Sequence, residues 1–333
     1  VYMKKSSKFY AMIILIVALL VMIGYYWHNN QSKRIDMDLQ GSLVRLDSHV
    51  LTVYNVRNFN DYETIDLHSI AKKFDSAIRY VAYNNEALYL LLEEKNHTWS
   101  ILRITNNAMD LYALPIIEND AKRYQIVLDK DNILVIINKK IYQSEREKFA
   151  FHLVSQEFSY KNQFIFSPSL YGYVYMDSSN VVRNLQNTVN LISLDSFSTY
   201  NGIINSSYLV LTRMPEKKRF GEIYDLNTGE YRKLTKGPLY NFGSVGDVVL
   251  LEIESDNGQP DFFAPNLLVN PSRYSNHITD YEPFFYDVKN DVIIKLPEGI
   301  YTRALDQSII YQSEKFNREA LQQLKLLCES SHN

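Results

Sequence analysis

Seven histidines stand at positions 28, 49, 68, 97, 152, 277 and 332. No two share the HxxxH or HxH spacing that would aim two imidazoles at one ion, so no metal site is expected. Cys328 is the single cysteine, which excludes an intramolecular disulfide and a cysteine-based zinc site. No nucleophile elbow, phosphate loop or dinucleotide fingerprint occurs, and no cofactor is expected. Carboxylate pairs do occur, as Glu93-Glu94 and as Glu252 with Glu254. Glycoside hydrolysis needs two such groups about 5–10 Å apart across a cleft. The first pair ends a strand and the second alternates along one, so both read as solvated faces. The basic runs Lys139-Lys140, Arg146-Glu147-Lys148 and Lys217-Lys218-Arg219 read as solvated loops able to rim an anion site. Asn96-His97-Thr98 and Asn205-Ser206-Ser207 match the glycosylation acceptor triplet, at about the frequency chance gives so Asn-rich a chain.

The densest collection of contact chemistry is residues 255–283, SDNGQPDFFAPNLLVNPSRYSNHITDYEP. It holds Pro260, Pro265, Pro271 and Pro283 of nine prolines, and mixes aromatic with charged side chains. Prolines lower the entropy of holding a loop in one shape, while aromatics and arginine dominate binding hot spots. Phe262, Phe263, Arg273, Tyr274 and His277 are therefore the expected ligand- or partner-binding residues.

The elements that must position this loop repeat along the chain. One hairpin type is clearest at Ile223–Leu234 and Phe285–Leu296, with looser copies starting at Val53, Ile101, Phe151 and Val182. A second type lies between them, at Ile78–Glu93, Tyr124–Asn138, Gln163–Met176, Asn201–Arg213, Asn241–Glu254 and Tyr301–Gln312. Alternating apolar positions and Asn, Asp and Gly turns mark β structure. Six four-stranded antiparallel units of about 40–50 residues are the pattern of a β-propeller. A sandwich would use only about seven to nine strands. The phase predicts a split closure, in which Val50–Leu67 and Tyr301–Gln312 each give two strands to one blade, with Leu43–Leu46 either adding to that blade or leading in from the tether. Residues 255–283 then fall between the second and third strands of a blade, on the face that also carries the links between blades. The basic runs are expected in loops of the same type. Phe316, Ala320, Leu321, Leu324, Leu327 and Cys328 recur at helical spacing within Glu314–Cys328, predicting a helix that packs on the propeller's side.

The hairpin Ile223–Thr235 (IYDLNTGEYRKLT) resembles the outer hairpin of TolB-like and YVTN-type propellers. The resemblance covers one blade well, a second in part and the rest by pattern. It implies a propeller architecture and no particular activity. The Trp-Asp and Gly-His marks of WD repeats and the Gly-Gly of kelch repeats are missing.

Composition bounds the rest. The 333 residues carry 35 basic and 38 acidic side chains, and five of the basic ones fall in the first 41 residues. The body is thus mildly acidic, which argues against nucleic acid as a partner. With 46% hydrophobic residues, 26 Tyr and 16 Phe, the chain has ample core material. Phe9–Trp27 runs without a charge, flanked by aromatics, and at about 1.5 Å per residue it matches a bilayer core of ~30 Å. Gly24-Tyr25-Tyr26-Trp27 offers no small-residue cleavage site, so an uncleaved anchor is expected. Lys4, Lys5 and Lys8 before the span outnumber Lys33 and Arg34 after it, which places the amino terminus inside. The expected organisation is a cytoplasmic segment 1–8, an anchor 9–27, a tether 28–41, an all-β six-bladed propeller 42–313, and an amphipathic helix with its tail 314–333. The body then lies in the periplasm or outside the cell. The expected function is binding or scaffolding of a protein or glycan partner. The alternative is a glycan-active hydrolase or lyase, which would need His97, Asp261 and His277 to converge near the ring axis.

Overall fold

The computed structural model describes residues 39–333 apart from 85, 119–120, 122–123, 129–130, 139, 156–166, 170–171, 178, 185–189, 206, 216–217, 255–265, 269–280, 297–306, 313–314 and 331–333. The 9–27 stretch lies outside these. Among the described residues no helix is long and apolar enough to cross a membrane.

The body opens with β1 (Ser42–Asp47), β2 (Val50–Asn55) and β3 (Asn58–Asp66), then a short helix α1 (His68–Lys73). Five blades follow. Blade 2 is β4 (Ser76–Tyr83), β5 (Ala87–Glu94), β6 (Thr98–Thr105) and β7 (Met109–Ile117), and blade 3 is β8 (Tyr124–Leu128), β9 (Asn132–Ile137), β10 (Lys140–Glu145) and β11 (His152–Ser155). Blade 4 is β12 (Ser167–Ser169), β13 (Gly172–Met176), β14 (Val181–Asn184) and β15 (Asn190–Ser193). Blade 5 is β16 (Ser198–Ile204), β17 (Tyr208–Arg213), β18 (Phe220–Asp225) and β19 (Tyr231–Thr235). Blade 6 holds β20 (Leu239–Val245), β21 (Val248–Glu254), β22 (Asn266–Leu268), β23 (Tyr281–Asp287) and β24 (Val292–Lys295). In space its order is β20-β21-β23-β24-β22, so the short strand inside the insert adds a fifth, parallel member at the outer edge. Blade 1 is completed by β25 (Gln307–Gln312). The architecture is an all-β six-bladed propeller with a short carboxy-terminal helix.

Its closure corrects the sequence reading. Blade 1 has the order β25-β1-β2-β3, three strands from the amino-terminal side and one from the other. Ser42–Asp47 is a full ladder member, since Leu43 lies opposite Tyr54 on one side and Tyr311 on the other. Leu43, Val44 and Leu46 are buried between these partners, and among the described residues one carboxy-terminal strand joins the blade. A second correction concerns blade 3, whose third strand is Lys140–Glu145. The Phe151 hairpin expected there is only the fourth strand.

Second strands read differently from outer ones because both their faces meet a neighbouring blade. In β5, β9, β17 and β21 the runs ALYLLL, ILVII, LVLT and VVLLEI are buried without alternation. Burying one such Leu or Ile contributes about 1.5–3 kcal/mol. Innermost strands approach closely: a Cβ at Gly243 (φ +119°) would stand 2.0 Å from the Tyr311 carbonyl oxygen, which only glycine avoids.

The final helix α2 (Arg318–Ser330) starts at Asn317, whose Oδ1 accepts the Ala320 amide at 3.2 Å and caps it. Leu321, Leu324 and Cys328 are buried in the apolar core between blades 1 and 2, with Phe316 and Leu327 beside them. The helix lies along β3, where Arg318 pairs with Asp61 and Glu63, and the Ser69 hydroxyl donates to the Cys328 carbonyl at 3.1 Å. Packing on the propeller's side, expected from the apolar stripe, is what the helix does. Burial pushes the Cys328 thiol up to about 12, which leaves it inert.

Candidate functional site

Up-and-down strand order sorts the connections into two faces. First-to-second and third-to-fourth turns share one, the turn face. Second-to-third loops and the links between blades share the other. The insert leaves Glu254 of β21 and returns at Tyr281 of β23, so its roots are on this second, insert face. The chain enters the ring on the turn face, where the Tyr311 hydroxyl donates to the Gln40 carbonyl at 2.7 Å.

Charged groups gather on the insert face. In blade 2, β4 carries a bulge at Arg79, since Ile78 faces Leu92 and Tyr80 faces Leu91. The extra residue is left outside the ladder and can be re-aimed. Arg79 Nε meets Glu93 Oε2 at 2.6 Å, and the other oxygen lies 3.3 Å from Nδ1 of His97. His97 takes a left-handed φ of 61° in the loop between β5 and β6. Its carbonyl accepts the Glu118 amide, which ties this loop to the link between blades 2 and 3. The Glu118 carboxylate holds both Lys140 and Asn138 of blade 3. The Lys140 contact keeps the Glu118 carboxyl below its ordinary range, and Glu118 raises the lysine in return.

Blade 5 carries a second group. Glu222 on β18 is 2% exposed, and Arg213 Nε lies 3.4 Å from its Oε2. Arg213 also reaches Asp195 in the blade 4–5 link at 3.8 Å and lies over the Tyr231 ring. Burial raises the Glu222 carboxyl above its usual range, and nearby Arg213 and Lys233 oppose that rise. In blade 6 the Tyr240 hydroxyl donates to Glu254 at 2.6 Å, and Arg219 stands 3.8 Å from the same carboxylate. Phe197 and Met214, joined by a backbone hydrogen bond, stay exposed beside these charges.

These positions revise several expectations. Glu93 is one-tenth exposed and Glu252 is fully buried, so neither pair is a solvated face. Arg146 and Lys148 lie in the turn between β10 and β11, on the turn face. Lys140 and Arg219 are on the insert face as expected. Phe262, Phe263, Arg273, Tyr274 and His277, together with Asp261, Lys139 and Lys217, lie outside the described residues. Arg79, Glu118, Arg213 and Glu222 were not singled out by the sequence, because a bulge and strand register bring them to their partners. Among the described residues no three His, Cys, Asp or Glu side chains gather as metal ligands would.

No family model and no curated protein sequence matches this chain. Solved structures do match it. A chain of a nidogen–laminin complex is 12% identical, with a TM-score of 0.48, covering 82% of this chain and 99% of that one. The putative TolB from Agrobacterium tumefaciens is 10% identical at a TM-score of 0.46, covering 82% and 98%. The β-propeller domain of the trilobed protease from Pyrococcus furiosus is 12% identical at 0.38, covering 67% and 73%. The likeness is one of propeller architecture. The propeller architecture that the Ile223–Thr235 hairpin implied is read from the strand order of the six sheets.

Proposed function

We infer that this chain is a membrane-anchored, extracytoplasmic propeller that binds a protein or glycan on its insert face. The observation that carries the reading is topological. The longest connection of the ring is rooted on the face opposite the point where the chain enters at Leu39–Gly41. Arg79, His97, Arg219 and the exposed Phe197–Met214 pair share that face, and they supply the mixture of charge and apolar surface that partner contacts use. The uncharged span 9–27 supports anchoring, and the lysine excess before it supports a body outside the membrane.

Phe262, Phe263, Arg273, Tyr274 and His277 are the proposed contact residues. Alanine at all five should leave the melting transition in place, because β22, which pairs with β24, is untouched. The same variant should lose partner capture in a pull-down from solubilised membranes of the source cells. Full retention of every captured partner would refute the assignment.

A further inference from the structure

His49 and His68, too far apart in the chain to form a spaced motif, meet on the insert face. His49 is in the turn between β1 and β2, a second-to-third connection, and His68 opens α1 in the link from blade 1 to blade 2. Their ring centres are 5.4 Å apart, with the planes at 64°. Backbone contacts fix that spacing. The His49 carbonyl accepts the Leu67 amide at 2.7 Å, and Val50 lies opposite Asp66 in the ladder. The Asp66 carboxylate in turn accepts the His68 amide at 2.8 Å. His49 Nδ1 is buried and has no hydrogen-bond partner among the described residues, while His68 is exposed. A ring contact alone leaves the desolvation of that buried nitrogen uncompensated.

We propose that His49 and His68 form a two-imidazole site for a late first-row divalent ion such as Zn²⁺. An ion about 2.1 Å from one nitrogen of each ring stands ~3.2 Å from each ring centre, so a tetrahedral angle puts the two centres ~5.3 Å apart. The 5.4 Å observed matches that requirement. Bringing both nitrogens onto the ion needs side-chain rotation at His68, which an exposed residue makes readily. Neutral imidazole suits Zn²⁺, Cu²⁺ and Ni²⁺. Among the described residues no third His, Cys, Asp or Glu joins the pair as a ligand, so water fills the remaining positions. Two protein ligands make the site weaker than the four-ligand sites that hold a fold together, and open to exchange. It uses described residues alone and does not depend on the partner assigned to the insert face.

Calorimetric titration of the full chain with Zn²⁺, at neutral pH in a mild nonionic detergent, tests this. Wild type should bind Zn²⁺ at this site, and its melting temperature should climb with Zn²⁺ concentration. His49→Phe and His68→Phe keep an aromatic ring at the contact and remove its nitrogens. Each should raise the dissociation constant by at least about tenfold and abolish the climb in melting temperature. His97→Phe, on the same face but beside Glu93, should leave both unchanged. A wild type that takes up no Zn²⁺ would overturn the proposal. So would uptake that both of the first two variants retain, which would mark an adventitious ion only. Should either of those variants melt early without Zn²⁺, the other and the wild-type titration still decide.

Discussion

The two faces of the ring are held by different means. On the turn face most turns close upon themselves. Asn84 accepts the amides of Glu86 and Ala87, and Asp287 accepts those of Lys289 and Asn290. Asn205 with Asp247 and Arg232 with Asp291 add two bridges from blade 5 to blade 6. On the insert face ion pairs recur: Arg79 with Glu93, Glu118 with Lys140, and Arg213 with both Asp195 and Glu222. Local turns need only a suitable residue at one position. Of these pairs, Arg79–Glu93 and Arg213–Glu222 close within one blade, whereas Glu118–Lys140 and Arg213–Asp195 join a blade to the link that precedes it, and each keeps charge half-buried.

The largest separation between the faces should appear on breaking one contact in each. Arg213→Met leaves buried Glu222 with only Lys233 nearby. Because Arg213 is itself partly exposed, the loss should fall at or below the low end of the roughly 3–5 kcal/mol of a broken buried pair. Asp287→Ala removes one turn acceptor and should cost about 1 kcal/mol. Equal losses for the two in urea melts would erase the distinction. The Arg213→Met penalty should also shrink in acid. A carboxyl raised in the fold binds its proton more readily there than in the unfolded chain, so its stabilising contribution exists at low pH and fades as pH rises through its folded value.

A smaller effect sharpens the same contrast. Glu118 is lowered in the fold, so its contribution is present above the ordinary carboxylate pKa of about 4.3 and is lost as pH falls through its folded value. Glu118→Gln should flatten the acid limb of the melting temperature against pH, and an acid limb unchanged from wild type would contradict this.

What the sequence made legible follows the same division. Strand alternation and Asn, Asp and Gly turns depend on neighbours in the chain, and hairpins such as Ile78–Glu93 and Tyr124–Asn138 are found within a few residues of where they were expected. The helix Arg318–Ser330 was readable from its stripe of Leu321, Leu324 and Cys328. Closure was not, because SLVRLD at Ser42–Asp47 becomes an interior strand only when Gln307–Gln312 arrives from the far end of the chain. The third strand of blade 3 was missed because FHLV at residues 151–154 is the more apolar run. The charge network was hidden for a further reason: nothing around Glu222 in FGEIYD distinguishes a buried carboxylate from a solvated one until Arg213, diagonal to it on β17, reaches its side chain.

Two exposed positions, one in the link that enters blade 5 and one in that blade's outer turn, give the most direct test of a binding face. Phe197 is on the insert face and 58% exposed, and Asn227 is exposed in the turn between β18 and β19 on the other. A photo-reactive phenylalanine analogue would be placed at each in turn, in the full chain expressed in its source cells. Irradiation should yield a discrete covalent adduct from position 197 and none from 227. An adduct from 227 with none from 197 would contradict a partner on the insert face.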